Sequence, residues 1–182
     1  VVPQPFGSLF RALLNARGVF VDRDHLAQDR VAVLDIGTHT TDFAYADQLR
    51  YVEPKSGSIP VAMARVYELL TRKLADSYGL ELSLTEVEQA AHAGRVTCYG
   101  DRHTIQPLYK ESLHAVGEEI VAHATTLWDD GKGLAAVLLT GGGAEALAPM
   151  IQRTFPHTRV MSQPQLANAQ GFYRYGLRTF RS

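Results

Sequence analysis

The chain of 182 residues is 46% hydrophobic with a formal net charge of −1, so it can bury one core with a small appended subdomain and lacks the basic surface that direct nucleic-acid binding requires. Cys98 is the single cysteine, which excludes a disulfide framework or a thiolate metal cluster and indicates a reducing, cytoplasmic location. The apolar runs are far shorter than a membrane-spanning helix, so we expect no membrane association.

One helix and three short strands are predicted in the first third of the chain. Apolar residues recur at helical spacing from Phe6, and Gly18 ends that helix. The run from Val31 to Leu34 is continuously apolar, which is the pattern of a strand buried on both faces. In chain order, the predictions are a helix at residues 6–16, a connector at 19–30, a strand at 31–34, a polar turn at 35–42, a hairpin with strands at 43–45 and 49–52, and a chain break at 56–60.

The remaining residues alternate helices with two more strands. Residues 80–106 contain few large apolar side chains, which indicates a small inserted subdomain. The overall order indicates an α/β domain with a mixed sheet covered by helices. The predicted elements are a helix from residue 63 that Gly79 ends, a subdomain helix at 85–93 with strands at 96–98 and 104–106, a long helix marked by apolar residues from 113 to 127 and ending near Gly131, a buried strand at 134–139, a helix at 147–155, a strand at 159–161 and a last helix at 164–175.

The most specific feature is the turn from Asp35 to Asp42, which reads Asp-Ile-Gly-Thr-His-Thr-Thr-Asp. A buried strand ends there by projecting a carboxylate, and successive backbone N–H groups in such a turn form a concave nest for phosphate oxygens. Gly37 lets the backbone approach closely, and the threonine hydroxyls add donors. A carboxylate beside a polyphosphate commonly serves Mg²⁺, so the turn predicts a phosphate-binding loop. The alternative is an Asx-capped hairpin turn.

A second motif, Thr140-Gly141-Gly142-Gly143-Ala144, joins the buried strand at residues 134–139 to the next helix. Three glycines leave no side chains between the backbone and a ligand, and they expose the N-terminus of the helix. The alternative is a flexible strand-to-helix connection. The motif is not a Walker A loop, because no Gly-Lys-Ser/Thr follows, and its spacing differs from the Rossmann fingerprint.

In this order, the two motifs resemble the phosphate loop and the adenosine loop in the second half of the actin/sugar-kinase/DnaK superfamily. Three further segments resemble the ParM/StbA plasmid-segregation branch: Val1–Gly7 at the entry to the hinge helix, the turn Ser56–Val61 and the closing helix at Ala167–Gly176. The resemblance covers essentially the whole chain. It implies a ribonuclease-H-like, actin/DnaK-type ATPase domain with a small inserted subdomain at about residues 80–106.

The resemblance also implies roles for individual residues. Asp35 resembles the carboxylate that orients the attacking water and the waters bound to Mg²⁺. Gln4 falls where the family places a residue that positions the hydrolytic water. His39 departs from the commoner glycine, which adds an imidazole beside the γ-phosphate without removing a backbone donor. The implied ligands are ATP or ADP with Mg²⁺. The phosphate cradle would be the backbone of Gly37, Thr38, His39 and Thr40, and the adenosine loop would be Gly141, Gly142, Gly143 and Ala144.

The family places ATP in a cleft between two such domains, of which this chain would supply one wall. Since Val1 is not a methionine, we expect a longer protein whose N-terminal domain, with the other phosphate loop, is missing from this chain. The expected function is ATP-driven filament assembly, in plasmid or DNA segregation or as cytoskeleton. The expected partners are other subunits and an adaptor protein bound to plasmid DNA. The alternatives are a non-polymerising ATPase and a small-molecule kinase of the same superfamily.

Overall fold

The computed structural model of the protein describes residues 2–180. Val1, with which the segment resembling the hinge entry begins, lies outside this range. The described residues form the helices α1 (Phe6–Leu13), α2 (Met63–Tyr78), α3 (Leu84–Ala93), α4 (Gln106–Leu127), α5 (Ala144–Thr154) and α6 (Ala167–Phe180). They also form the strands β1 (Arg30–Ile36), β2 (Thr41–Asp47), β3 (Arg50–Tyr51), β4 (Gly57–Ile59), β5 (Arg95–Cys98), β6 (Asp101–Thr104), β7 (Ala136–Thr140) and β8 (Thr158–Val160).

Six of these strands form one mixed sheet in the order β3-β2-β1-β7-β8, with β4 also paired to β2. β1 is antiparallel to β2 and parallel to β7, and β8 extends the parallel side. The β2–β3 turn lies at Gln48 and Leu49, both with positive φ, as a tight hairpin turn requires. The predicted mixed sheet and its hairpin are therefore present.

Strand β4 corrects one expectation. Residues 56–60 were expected to break the chain, yet Gly57–Ile59 pair with Thr41–Phe43 of β2. Gly and Ser have low strand propensity, so their composition gives no strand signal. The strand exists because β2 offers it a neighbouring edge.

The sheet is covered on both faces, and β1 shows why. Its side chains alternate between two hydrophobic clusters, with Leu34 and Ile36 in one and Val31 and Val33 in the other. The first cluster is shared with α2, α4 and α5, and the second with α1. The continuous apolar run is thus a strand buried on both faces, as predicted.

Helices α1 and α6 touch through their backbones. A Cβ on Gly171 of α6 would overlap the carbonyl oxygen of Gly7, so glycine is required at this crossing. Beside it, the rings of Phe10 and Tyr175 stack with centroids 4.5 Å apart. This close approach brings the first turn of α6 next to the end of β1.

Residues 80–106 hold α3 and a separate two-stranded sheet of β5 and β6. Ser83 and Glu86 form a capping box at the start of α3, and Val87 and Val96 join the larger hydrophobic cluster. The subdomain boundary stays a prediction.

Among residues 2–180, no helix is both long enough and apolar enough to cross a membrane.

Helix α4 begins at Gln106, not at residue 113 as expected. The helix was predicted from the spacing of its apolar residues, and that spacing begins only where the helix reaches the core. The first turn is fixed instead by Pro107, whose restricted φ suits a helix start.

Candidate functional site

Asp35 lies near the end of β1, between Asp42 of β2 and Thr140 of β7. Only 6% of its surface is exposed. Its Oδ2 accepts a hydrogen bond from Asn168 Nδ2 at 2.7 Å. The predicted carboxylate at the strand end is therefore present, held by one amide from α6.

Burial raises the pKa of the Asp35 carboxyl above its ordinary value. The hydrogen bond from Asn168 opposes this shift, and the nearby charge of Asp42 adds to it. Within residues 2–180, no cationic side chain forms an ion pair with Asp35, so a positive group beside the ionised carboxylate would be stabilising. Asp35 thus fits a position next to a magnesium ion or its water shell.

A magnesium ion beside Asp35 would be held mainly by water and phosphate oxygens. Among residues 2–180, no group of three or more His, Cys, Asp or Glu side chains could hold a metal ion. Mg²⁺ usually keeps several waters and binds through one or two carboxylates together with substrate phosphates. The surroundings of Asp35 suit that mode of binding.

The turn at Gly37–Thr40 is rigidly anchored and open on its outer side. Gly37 N–H donates to Thr40 O, and the carbonyls of Gly37 and Thr38 accept from Met63 and Ala64 at the start of α2. The residues Thr38, His39 and Thr40 are exposed, and their backbone N–H groups donate to no described residue. Free, neighbouring N–H donors on a fixed turn can bind an anion.

The three glycines of the second loop differ in their surroundings. Gly141 has a φ of +90°, and a Cβ there would overlap Ile36 O and lie 2.6 Å from Asp35 Oδ1. Gly143 packs on Ile36 and Met63 and donates its N–H to Ile36 O at 2.9 Å. Gly142 is exposed with no neighbouring atom within 4 Å of such a Cβ. Gly141 and Gly143 therefore let the loop pack on β1, and Gly142 faces outward.

A pocket of about 270 Å³ lies beside Gly142. Its walls include Glu145, from the first turn of α5, together with Gln163 and Pro164. Pro164 O accepts hydrogen bonds from both Gly141 N–H and Thr140 Oγ1, which fixes the loop against the segment before α6. Ala144 is buried as the first residue of α5.

Asn168 is a site residue to which the sequence assigned no role. Its Oδ1 accepts from both the N–H and the hydroxyl of Ser8, and its Nδ2 donates to Asp35. The only signal in the sequence was its position in the segment resembling the closing helix, one turn before Gly171. The partnership with Asp35 depends on the crossing of α1 and α6, which no local pattern shows.

Gln4 lies in the exposed turn before α1. Its side chain makes no hydrogen bond within residues 2–180, and its carbonyl accepts from Gly7 N–H. Ser8, one turn farther on, is tied through Asn168 to Asp35. The first turn of α1 thus belongs to the same network, although the Gln4 side chain does not take part in its hydrogen bonds.

A family model described as archaeal actin homologue MreB-like, C-terminal, matches residues 33–153. The chain belongs to this family of actin homologues. The match runs from β1 almost to the end of α5 and includes both loops described above. No curated protein gives a significant match.

Solved structures of actin homologues share the fold. A non-polymerisable quadruple mutant of pCBH ParM has a TM-score of 0.82 and 20% identity, over 96% of this chain and 53% of that one. A ParM filament from Clostridium botulinum has a TM-score of 0.78 and 19% identity, over 96% and 52%. The archaeal actin homologue Ta0583 in complex with ADP has a TM-score of 0.77 and 18% identity, over 95% and 55%.

The predicted actin-like α/β fold and the resemblance to the C-terminal half of ParM-type proteins are both confirmed. The chain spans about half the length of these solved relatives. At such low sequence identity the likeness shows the fold alone, so the roles of individual residues in this actin homologue stay predictions.

Proposed function

We propose that this chain is the second nucleotide-binding domain of an actin-like protein that binds ATP with Mg²⁺, assembles into filaments and hydrolyses the nucleotide. The filaments would act in plasmid or DNA segregation or as cytoskeleton, with an adaptor protein on plasmid DNA as a further partner. The ADP complex of Ta0583 and the ParM filament support the nucleotide and the assembly respectively.

One observation carries the nucleotide proposal: the two glycine-bearing loops meet at Asp35. Because β1 and β7 are parallel neighbours, both loops leave the same end of the sheet. Gly141 approaches the Asp35 carboxylate so closely that a methyl group would not fit between them. A phosphate near this junction would meet free N–H donors from one loop and an exposed glycine backbone from the other.

The proposed reaction is attack of water on the γ-phosphate, which depends chiefly on positioning and charge neutralisation. Backbone N–H groups of Thr38, His39 and Thr40 would hold the γ-phosphate, and Asp35 would orient the attacking water and the waters on the metal. Bound Mg²⁺ would neutralise charge on the phosphates. Gln4 would help to position the water. Asn168 and Ser8 keep the Asp35 carboxylate in place.

Sedimentation of the protein together with its N-terminal domain tests the assembly part of the proposal. Addition of ATP and Mg²⁺ is expected to move the protein into the pellet, and hydrolysis is expected to return it to the supernatant. Protein that hydrolyses ATP without pelleting would show a non-polymerising ATPase. Turnover that depends on an added hydroxylated small molecule would show a kinase.

The isolated chain is expected to be folded but inactive. A hydrophobic cluster covers each face of its sheet, which should keep the chain folded. The proposed γ-phosphate site has two walls and therefore needs a second phosphate loop. Calorimetry should show one cooperative unfolding transition, and a phosphate-release assay should show no turnover above background. Sustained turnover by the isolated chain would contradict the two-domain site.

Replacement of Gln4 by Ala is expected to slow hydrolysis by roughly 100-fold, the range typical of positioned catalytic groups. Nucleotide affinity should change little, because the Gln4 side chain makes no hydrogen bond within residues 2–180 and the phosphate loop is anchored elsewhere. Filaments should therefore form and persist. Single-turnover hydrolysis in the protein with both domains is the measurement.

Gln28→Ala is the matched control, because Gln28 is also exposed but lies in the connector before β1. Its hydrolysis rate should equal that of the natural protein. An unchanged rate in Gln4→Ala would make Gln4 a residue of the helix entry only.

A further inference from the structure

A groove of about 830 Å³ lies between α4 and α5, outside the candidate nucleotide site. Its walls include the partly exposed apolar side chains of Tyr109, Leu113, Val121 and Met150. Contiguous exposed apolar surface of this kind marks sites of protein interaction, because burial of apolar area away from water is favourable. None of the residues proposed to bind nucleotide lines this groove.

The shape of the groove follows from one glycine. A Cβ on Gly117 of α4 would overlap the Met150 sulphur of α5, so the two helices are in close contact there. The larger side chains on either side of Gly117 then form the walls of an elongated channel. The helices run in the same direction, because Trp128 after α4 packs on Phe155 after α5 with ring centroids 5.8 Å apart.

Each end of the groove carries a basic residue. Lys110 lies in the first turns of α4 and Arg153 in the last turn of α5, both exposed. Neither makes an ion pair or hydrogen bond within residues 2–180. The acidic residue on the rim is Glu118, and its Oε2 lies 3.5 Å from His114 Nδ1. Lys110 lies seven residues before Gly117, and Arg153 lies three residues after Met150, its contact partner. The two basic residues are therefore separated by roughly 15 Å along the helices, or about three helical turns.

We propose that this groove binds one amphipathic helix of a partner protein, with an apolar face and carboxylates about three turns apart. The apolar face would cover the floor of the groove, and the carboxylates would pair with Lys110 and Arg153. The contact would attach a partner to the flank of the domain without occupying the nucleotide cleft.

A second copy of this chain fits less well. Within residues 2–180, the helix that exposes several aromatic side chains is α6, with Tyr173, Tyr175 and Phe180. Its charged residues are Arg174 and Arg178, which would be repelled by Lys110 and Arg153. The charge pattern therefore favours an acidic partner helix.

Two designed peptides and methionine NMR test the proposal. Both peptides are helical, about 18 residues long, with a leucine face. One has glutamates about 10 positions apart, and the other has lysines at those positions. The three methionines are Met63, Met150 and Met161, and only Met150 lines the groove. The acidic peptide is expected to shift the methyl signal of Met150 and to leave the other two unchanged.

Charge reversal supplies the second measurement. In Lys110→Glu/Arg153→Glu, the acidic peptide should bind at least roughly 10-fold more weakly and the basic peptide more tightly, because two attractive pairs become repulsive. Arg72→Glu/Arg102→Glu is the control with the same charge change at exposed positions outside the groove. Circular dichroism checks that both double variants are folded. If a double variant does not fold, a folded variant with one of its two substitutions is used instead.

The proposal is overturned if both peptides bind equally, if the control weakens binding as much, or if Met150 does not respond. It is also overturned if Met150 shifts with protein concentration alone while sedimentation shows dimers, since a second copy would then fill the groove. The peptide outcomes do not bear on hydrolysis, which is measured separately.

Discussion

In the proposed two-domain ATPase, Asp35→Asn is expected to reduce ATP hydrolysis by about 1000-fold, because it removes the charge that would face the waters on the metal. The fold should persist, since Asn has the same shape and its side-chain oxygen can still accept from Asn168. The dependence of nucleotide binding on Mg²⁺ should weaken as well. Single-turnover hydrolysis and nucleotide titrations at several Mg²⁺ concentrations measure both effects.

Asp47→Asn is the matched control, because Asp47 lies at the opposite end of the same β1–β2 hairpin. Loss of its exposed ion pair with Arg30 should cost little stability and leave hydrolysis unchanged. If Asp35→Asn hydrolyses ATP normally, Asp35 serves only as a turn residue. If it unfolds, the role of Asp35 is structural.

The raised pKa of Asp35 gives the same substitution a pH-dependent effect on stability. Below the ordinary pKa of 3.8, the carboxyl is protonated in both the folded and the unfolded protein and burial carries no charge penalty. As the pH rises from there through the higher folded-state pKa, the unfolded chain loses its proton first. The free energy of unfolding of the natural protein therefore falls relative to that of Asp35→Asn.

Thermal unfolding without nucleotide should thus give similar midpoints at about pH 4 and a slightly higher midpoint for Asp35→Asn at about pH 7. Bound nucleotide and Mg²⁺ should remove this advantage. A midpoint difference that does not change with pH would show that Asp35 is not buried as a charged group.

Gly141→Ala is expected to lower the free energy of unfolding by about 3 kcal/mol and to abolish nucleotide binding. The φ of +90° is unfavourable for alanine, and the new Cβ would overlap the Ile36 carbonyl and the Asp35 carboxylate. Relief of that overlap must move the loop away from β1. Chemical denaturation and nucleotide titration of the isolated domain and of the two-domain protein give the two effects.

Gly142→Ala provides the comparison, because Gly142 is exposed and an added Cβ meets no atom within 4 Å. Its free energy of unfolding should differ from that of the natural protein by less than about 1 kcal/mol. Equal destabilisation by the two substitutions would mean that the glycines provide general flexibility, and not the close packing of Gly141 on β1.

Elements with a strong local pattern could be predicted before any tertiary contact was known. The apolar run before Asp35 predicts a strand buried on both faces, and the spacing of Met63, Val66 and Leu70 predicts α2. The two loops could be located because glycines directly after a buried strand indicate a turn with an exposed backbone. In each case the physical cause of the element lies in residues that are neighbours in the chain.

Other features could not be predicted, because their causes lie in residues far apart in the chain. β4 exists because β2 provides a pairing edge, and Asn168 reaches Asp35 because Gly7 and Gly171 let two helix backbones touch. Likewise, the three glycines look equivalent in sequence, yet Gly141 must stay small while Gly142 faces open space. That difference is set by β1, which lies about a hundred residues earlier and beside the loop only in the folded protein.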